Sequence, residues 1–229
     1  MLYRLLALVT ASAALLLGGC ATPQKMAFSD NANAPVKTDK ALYLMTATIK
    51  NNYKTSYQPQ LMFTSLEKGA AENREDRLNF KIDDSGTIAG KSEEDGNTYL
   101  LRLELDNGQY VVRGFNCMSR SLFIISNFFA PLHAAVNATT PGVYYLGHVD
   151  ATVRERTGNE FKAGAPIPLI DQAVAGASSG TFDVAITDRW TQDESLFKNK
   201  YPALKNATIN KSVLPAFDRD AAQKWWEAH

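Results

Sequence analysis

From Leu42 to Ile186 the chain alternates apolar and polar residues with a period close to two, the pattern of half-buried strands. Tyr43, Met45, Ala47 and Ile49 alternate with Leu44, Thr46 and Thr48, and Asn51-Asn52 closes the run. Gln60 to Leu66 forms a second, less regular run, and the charged stretch Glu67 to Arg77 reads as a loop or short exposed helix. Leu78, Phe80 and Ile82 then share one face of a strand, with Arg77, Asn79 and Lys81 on the other. The clearest local unit is a hairpin. Tyr99, Leu101, Leu103 and Leu105 point inward, Arg102 and Glu104 outward, Asp106-Asn107-Gly108 turns, and Tyr110 to Phe115 returns.

Ser121 to Val136 is strongly apolar and reads as two short strands joined by a bend, with Pro131 marking an edge or bulge. The best strand runs from Val143 to Arg154. Its apolar face is expected to hold Val143, Tyr145, Gly147, Val149, Ala151 and Val153, and its polar face His148, Asp150, Thr152 and Arg154. Gly147 in mid-strand points to a bulge or close backbone approach. Phe182, Val184 and Ile186 alternate in a last strand. Beyond Asp188 the period changes. Thr191 and Glu194 have capping-box spacing for a helix ending near Lys200, and Asp218 can cap a second helix carrying Ala221, Ala222, Trp225 and Trp226. Strands in succession followed by two short helices predict a mainly β fold, an antiparallel β-sandwich over 41–190 with a helical extension over 191–229 packed on it.

The N-terminus has a different pattern. Arg4 precedes an apolar run from Leu5 to Leu17, and Gly18-Gly19 lead to Cys20. The run is too short for a membrane span, which needs about 20 residues, and suits the apolar region of a signal peptide. The stretch resembles a bacterial lipoprotein signal peptide, with Leu17-Gly18-Gly19-Cys20 as its lipobox. That resemblance implies a signal peptide over 1–19, lipidation of the Cys20 thiol, cleavage before Cys20 and acylation of the freed amine. Ala21 stands where such families place Asp to retain a protein in the inner membrane, so the expected location is the periplasmic face of the outer membrane. Residues 20–40, broken by Pro23 and Pro35, read as a flexible tether.

Asn107-Gly108-Gln109-Tyr110 and Pro141-Gly142-Val143-Tyr144-Tyr145-Leu146-Gly147 also resemble segments of uncharacterised proteobacterial envelope lipoproteins with transthyretin-like or immunoglobulin-like sandwiches. The likeness spans about residues 98 to 190. It implies a fold and transfers no catalytic residue.

Charge and cysteine content narrow the function classes. With 24 basic and 24 acidic residues the precursor is neutral, and loss of Arg4 leaves the mature chain at minus one, without the basic footprint of a nucleic-acid binder. The two cysteines are Cys20 and Cys117. With Cys20 committed to lipid, no intramolecular disulfide is expected, and Cys117 reads as a small buried hydrophobe.

Three constellations invite chemistry. Gly176-Ala177-Ser178-Ser179-Gly180 matches a nucleophile-elbow pattern, but that motif works where a strand turns into a helix, and here a strand pattern follows. A serine hydrolase would need Ser178 with His133, His148 or His229. His148 and Asp150 share a strand face, yet two ligands fall short of a zinc site. Asp83-Asp84-Ser85-Gly86 and Glu93-Glu94-Asp95-Gly96-Asn97 lack calcium-loop spacing. The expectation is a non-enzymatic binding or structural module without cofactor or metal, held to the membrane through Cys20, with an envelope protein or glycan as candidate partner. The alternative is an envelope serine hydrolase using Ser178.

Overall fold

The structure, a computed structural model, describes residues 21–32, 35–36, 39–92, 95–164 and 169–228. Cys20, the signal-peptide segment, His229 and the acidic pair Glu93-Glu94 therefore lie outside the described residues.

Among the described residues, eleven strands form two sheets. The first has the order β1 (Thr22–Lys25), β4 (Arg77–Lys81), β3 (Gln60–Lys68), β7 (Gly108–Ser121), β8 (Ile124–Ala138). The second has the order β10 (Gly180–Thr187), β9 (Gly142–Glu155), β2 (Ala41–Asn51), β6 (Asn97–Leu105), β5 (Thr87–Ile88), with β11 (Ile209–Lys211) also on β9. The molecule is a mainly β sandwich. Most neighbours are antiparallel, whereas β1 with β4, β2 with β9 and β11 with β9 run parallel.

The main core lies between the sheets. Tyr43, Met45, Ala47 and Ile49 of β2 and Tyr99, Leu101, Leu103 and Leu105 of β6 face Leu66, Phe80, Val112, Phe115 and Phe128 of the first sheet. These are the inward positions that the alternation predicts. The other face of the second sheet is also covered, by helix α2 (Trp190–Lys200), the turn Pro202–Leu204 and residues 27–28, which bury Leu42, Leu44, Leu100, Val143 and Tyr145 with Phe197, Tyr201 and Leu204. A third layer therefore turns an expected solvent face into a second core.

This layer corrects the reading of Arg102. Its outward direction is as expected, but its side chain is fully buried. The Nε donates to the Phe28 carbonyl at 2.8 Å, Nη1 to the Leu100 carbonyl at 2.7 Å and to the Tyr201 hydroxyl, and Nη2 to Asp83. The guanidinium also lies 4.4 Å from the Tyr201 ring centroid, a cation–π geometry.

Three other expectations change. Ala21 to Phe28 belong to the fold rather than to a tether: Thr22–Lys25 pair with Leu78–Lys81, Met26 is buried, and the Ala27 N–H donates to the Arg102 carbonyl. The apolar tract Ser121–Val136 is not two short strands joined at Pro131. Ser121 ends β7, Leu122-Phe123 turn the hairpin, and Ile124–Ala138 run on as the single strand β8, because a bulge between Pro131 and Ala134 absorbs the irregularity without breaking the ladder to β7. Helix α2 begins at Trp190, and its opening N–H bonds to the Asp188 carboxylate, not to a Thr191 cap.

Gly147 does mark a bulge. Its φ is +109°, and the pairing of β2 with β9 slips between Leu44/Tyr145 and Thr46/His148. The slip reverses which face each side chain takes. Val143 and Tyr145 lie in the outer core, whereas Leu146, Val149, Ala151 and Val153 lie in the inner one. A residue with a Cβ at 147 would also meet Val213 at 3.1 Å and the Thr187 carbonyl at 3.2 Å.

Helix α3 (Arg219–Glu227) docks on the sandwich. The Asp218 carboxylate caps it by accepting from the Ala221 N–H, Ala222 is buried, and Trp225 meets Phe129 and His133 with ring centroids 5.7 and 4.8 Å away. Gln223 Oε1 accepts from the Phe161 N–H at 2.6 Å. Deleting Asp218–His229 is expected to lower the melting temperature of the chain that starts at Ala21 and to reduce the blue-shifted part of its tryptophan emission to that of Trp190, which packs on Tyr145. An unchanged melting temperature would show that these contacts contribute no stability.

Candidate functional site

The densest group of titratable side chains lies on the outer face of the second sheet. The bulge at Gly147 places Tyr145 and His148 on that face together, and the first turn of α2 lowers Asp193 between them. The Tyr145 hydroxyl donates to Asp193 Oδ2 at 2.6 Å, and His148 Nδ1 lies 3.2 Å from both carboxylate oxygens. On the other side of the ring, Nε2 is 3.0 Å from Thr48 Oγ1 and 3.5 Å from Asp150 Oδ1. Thr48 continues to Thr98 at 2.9 Å, and Asp150 pairs with Arg189. His148 and Asp193 are 6 % and 2 % exposed, so this is an interior network, not an open face.

The electrostatics follow from that geometry. Burial disfavours a charged imidazole, but the hydrogen bonds and charges of Asp150 and Asp193 outweigh it and raise the His148 pKa to about 9. Burial likewise opposes ionisation of Asp193 and Asp150, yet hydrogen bonding to His148 holds both below the usual carboxylate range. Burial, reinforced by the Asp193 carboxylate, pushes the Tyr145 phenol far up. At neutral pH the cluster is an imidazolium between two carboxylates. An imidazolium with both nitrogens engaged has no lone pair with which to act as a base or bind a metal.

The sequence placed His148 and Asp150 on one face, and they do meet. Asp193 and Tyr145 are the partners that sequence reasoning missed. The signal for Tyr145 was Gly147, since a one-residue slip exchanges faces. Asp193 carried no signal, because it reads as an ordinary acidic residue of a helix first turn. Among the described residues, no group of three or more His, Cys, Asp or Glu is arranged to hold a metal ion.

Ser178 lies in the turn between helix α1 (Ile170–Val174) and β10, and its N–H donates to the Gln172 carbonyl at 3.1 Å. A strand follows it, not the helix that a nucleophile elbow requires. His148 is engaged elsewhere, in the Asp193 cluster. Cys117 is buried in the main core, where burial pushes its thiol pKa far up, so it is held as the inert thiol.

A second cluster joins Arg154 and Arg219 to Glu160 and Asp183 at the edge of β10. It ties helix α3 to the sheet. A groove of about 630 Å³ opens between the third layer and the start of β9, with Val36, Val143, Pro202, Lys205, Asn206 and Asn210 among its lining residues. It mixes aliphatic walls with amide and ammonium groups, as a shallow ligand surface would. Among the described residues no helix is long and apolar enough to cross a membrane.

No family model matches this chain, and neither the curated proteins nor the solved structures contain a match to it.

Proposed function

We propose that this chain is an envelope lipoprotein, anchored through Cys20 to the periplasmic face of the outer membrane and serving there as a non-enzymatic binding or structural module. The observation that carries the reading is the run Leu5 to Leu17 ending in Leu17-Gly18-Gly19-Cys20. Its thirteen residues suit a signal sequence better than a membrane span. The described strands begin with β1 at Thr22, so cleavage before Cys20 removes none of them. A buried, doubly paired imidazolium and a Ser178 that precedes a strand favour a structural role for the polar groups over a hydrolytic one. The groove beside Lys205 and Asn210 is the surface offered to an envelope protein or glycan.

Cys20→Ser is expected to yield an unprocessed or soluble chain that takes up no radiolabelled palmitate, while the parent is labelled and fractionates with the outer membrane. Palmitate in the Cys20→Ser chain would contradict the assignment of Cys20. Recovery of the labelled parent in inner-membrane fractions would contradict the location.

A further inference from the structure

We propose that the mature protein stands on the bilayer on one end of its first sheet, the end where β1 begins, and points the β7–β8 hairpin tip away from the membrane. The proposal rests on the reading of Cys20 as the acylated residue. Consecutive Cα atoms are about 3.8 Å apart, and β1 starts at Thr22. Ala21 is thus the whole spacer between an acylated Cys20 and a hydrogen-bonded strand.

That spacer is fixed on its protein side. Thr22 pairs with Leu78, and its hydroxyl donates to the Arg74 carbonyl at 3.3 Å. Pro23 follows and locks its own φ. A long flexible tether would uncouple the domain from its lipid, whereas one residue passes the direction of β1 on to the anchor.

The register shows which groups this brings to the membrane. Thr22 is level with Leu78, Leu78 with Leu66, Leu66 with Val112 and Val112 with Ala134. The loop after Lys68 and the turn at Arg74 lie at this end, and Lys68, Ala70, Glu72, Arg74 and Glu75 are exposed there. Mixed basic and acidic groups suit the paired charges of zwitterionic headgroups. Leu122 and Phe123, 89 % and 85 % exposed, form the opposite end. Tyr110 is level with Lys68 and Ser121 closes the far hairpin, so at about 3.3 Å per residue the two ends are roughly 40 Å apart. The opposing arrangement, with the apolar tip inserted and the domain lying flat, requires the chain to turn away from the line of β1 at Ala21.

The test uses the full chain, processed and acylated in a bacterium and reconstituted in phosphatidylcholine vesicles with nitroxide-labelled headgroups. Ala70→Cys and Ser121→Cys each carry a thiol-linked fluorophore, and both leave Leu122 and Phe123 in place. Cys117 is buried and remains unlabelled. Quenching several-fold stronger at 70 than at 121 is the expected result. Equal quenching, or stronger quenching at 121, overturns the pose, and the latter places the apolar tip in the bilayer. Inserting about ten Gly/Ser residues between Ala21 and Thr22 adds roughly 18 Å of flexible reach and should reduce quenching at 70. Undiminished quenching would overturn the role given to the short attachment. A folded chain that fails to float with vesicles removes the Cys20 reading itself, a result separate from any difference between the two labels.

Discussion

Arg102→Met is expected to destabilise the chain that starts at Ala21 by about 3–5 kcal/mol, the usual cost of removing one partner from a buried ionic network. The Phe28 and Leu100 carbonyls, the Tyr201 hydroxyl and Asp83 all receive hydrogen bonds from this guanidinium. Methionine fills much of the volume and supplies none of those donors. Asp83 is partly exposed and regains water, and the Phe28 carbonyl is only half-buried, but the Leu100 carbonyl lies in the interior, where an unmade hydrogen bond costs about 1–3 kcal/mol. The loss also reaches across layers. Arg102 sits on β6, Phe28 in the segment after β1, and Tyr201 at the end of α2, so one side chain fastens two parts of the third layer to the sheet. Arg102→Lys keeps the charge but replaces a planar fork with a single ammonium, and it should lose most of the same stability. Urea midpoints within error of the parent for both variants would show that the third layer is held by its apolar contacts alone.

Stability is expected to fall as pH rises from about 6.5 to 9, because the folded state keeps a proton on His148 that the unfolded state releases. A pKa raised from 6.5 to about 9 is worth on the order of 3 kcal/mol, fully present below the lower value and lost once pH passes the upper one. Asp150 and Asp193 act in the opposite direction. Their pKa values are depressed, so their contribution is present above the ordinary carboxylate pKa and is lost as acid protonates the folded state. His148→Gln should flatten the alkaline limb and leave a less stable chain at pH 6. Asp193→Ala should be worse, since it strands a buried imidazolium and the Tyr145 hydroxyl together. Denaturant titrations from pH 5 to 10 measure all three chains, and a parallel alkaline decline in parent and His148→Gln would exclude His148 as its source.

Much of the sandwich was legible in the sequence because period-two alternation reports the inner face directly. Tyr99, Leu101, Leu103 and Leu105 took their expected places, Asp218 capped its helix, and Gly147 and Pro131 marked bulges. The third layer was harder to read. Its signal was the apolar character of Leu42, Leu44 and Leu100 at positions expected to be wet, and Arg102 between them looked like ordinary surface. An arginine between leucines reads as solvated until another element covers it. The parallel pairing of β2 with β9 is a tertiary outcome that strand pattern does not encode. Thr22–Lys25 escaped notice for a local reason: Thr-Pro-Gln-Lys has linker composition, and only the backbone of β4 makes it a strand. At the polar cluster, His148 and Asp150 followed from their spacing, whereas Asp193 comes from a different element 45 positions away.

Lipid attachment at Cys20 is the premise of the proposed function and of the orientation drawn from it. Intact-mass spectrometry of the protein expressed in a bacterium and recovered from its total cell extract tests that premise most directly. The account predicts a chain that begins at Cys20 and is heavier than its polypeptide by a diacylglyceryl group with or without one further acyl chain. Fragmentation should place the whole excess on Cys20. A full chain beginning at Met1, or one beginning at Cys20 with no added mass, would contradict it.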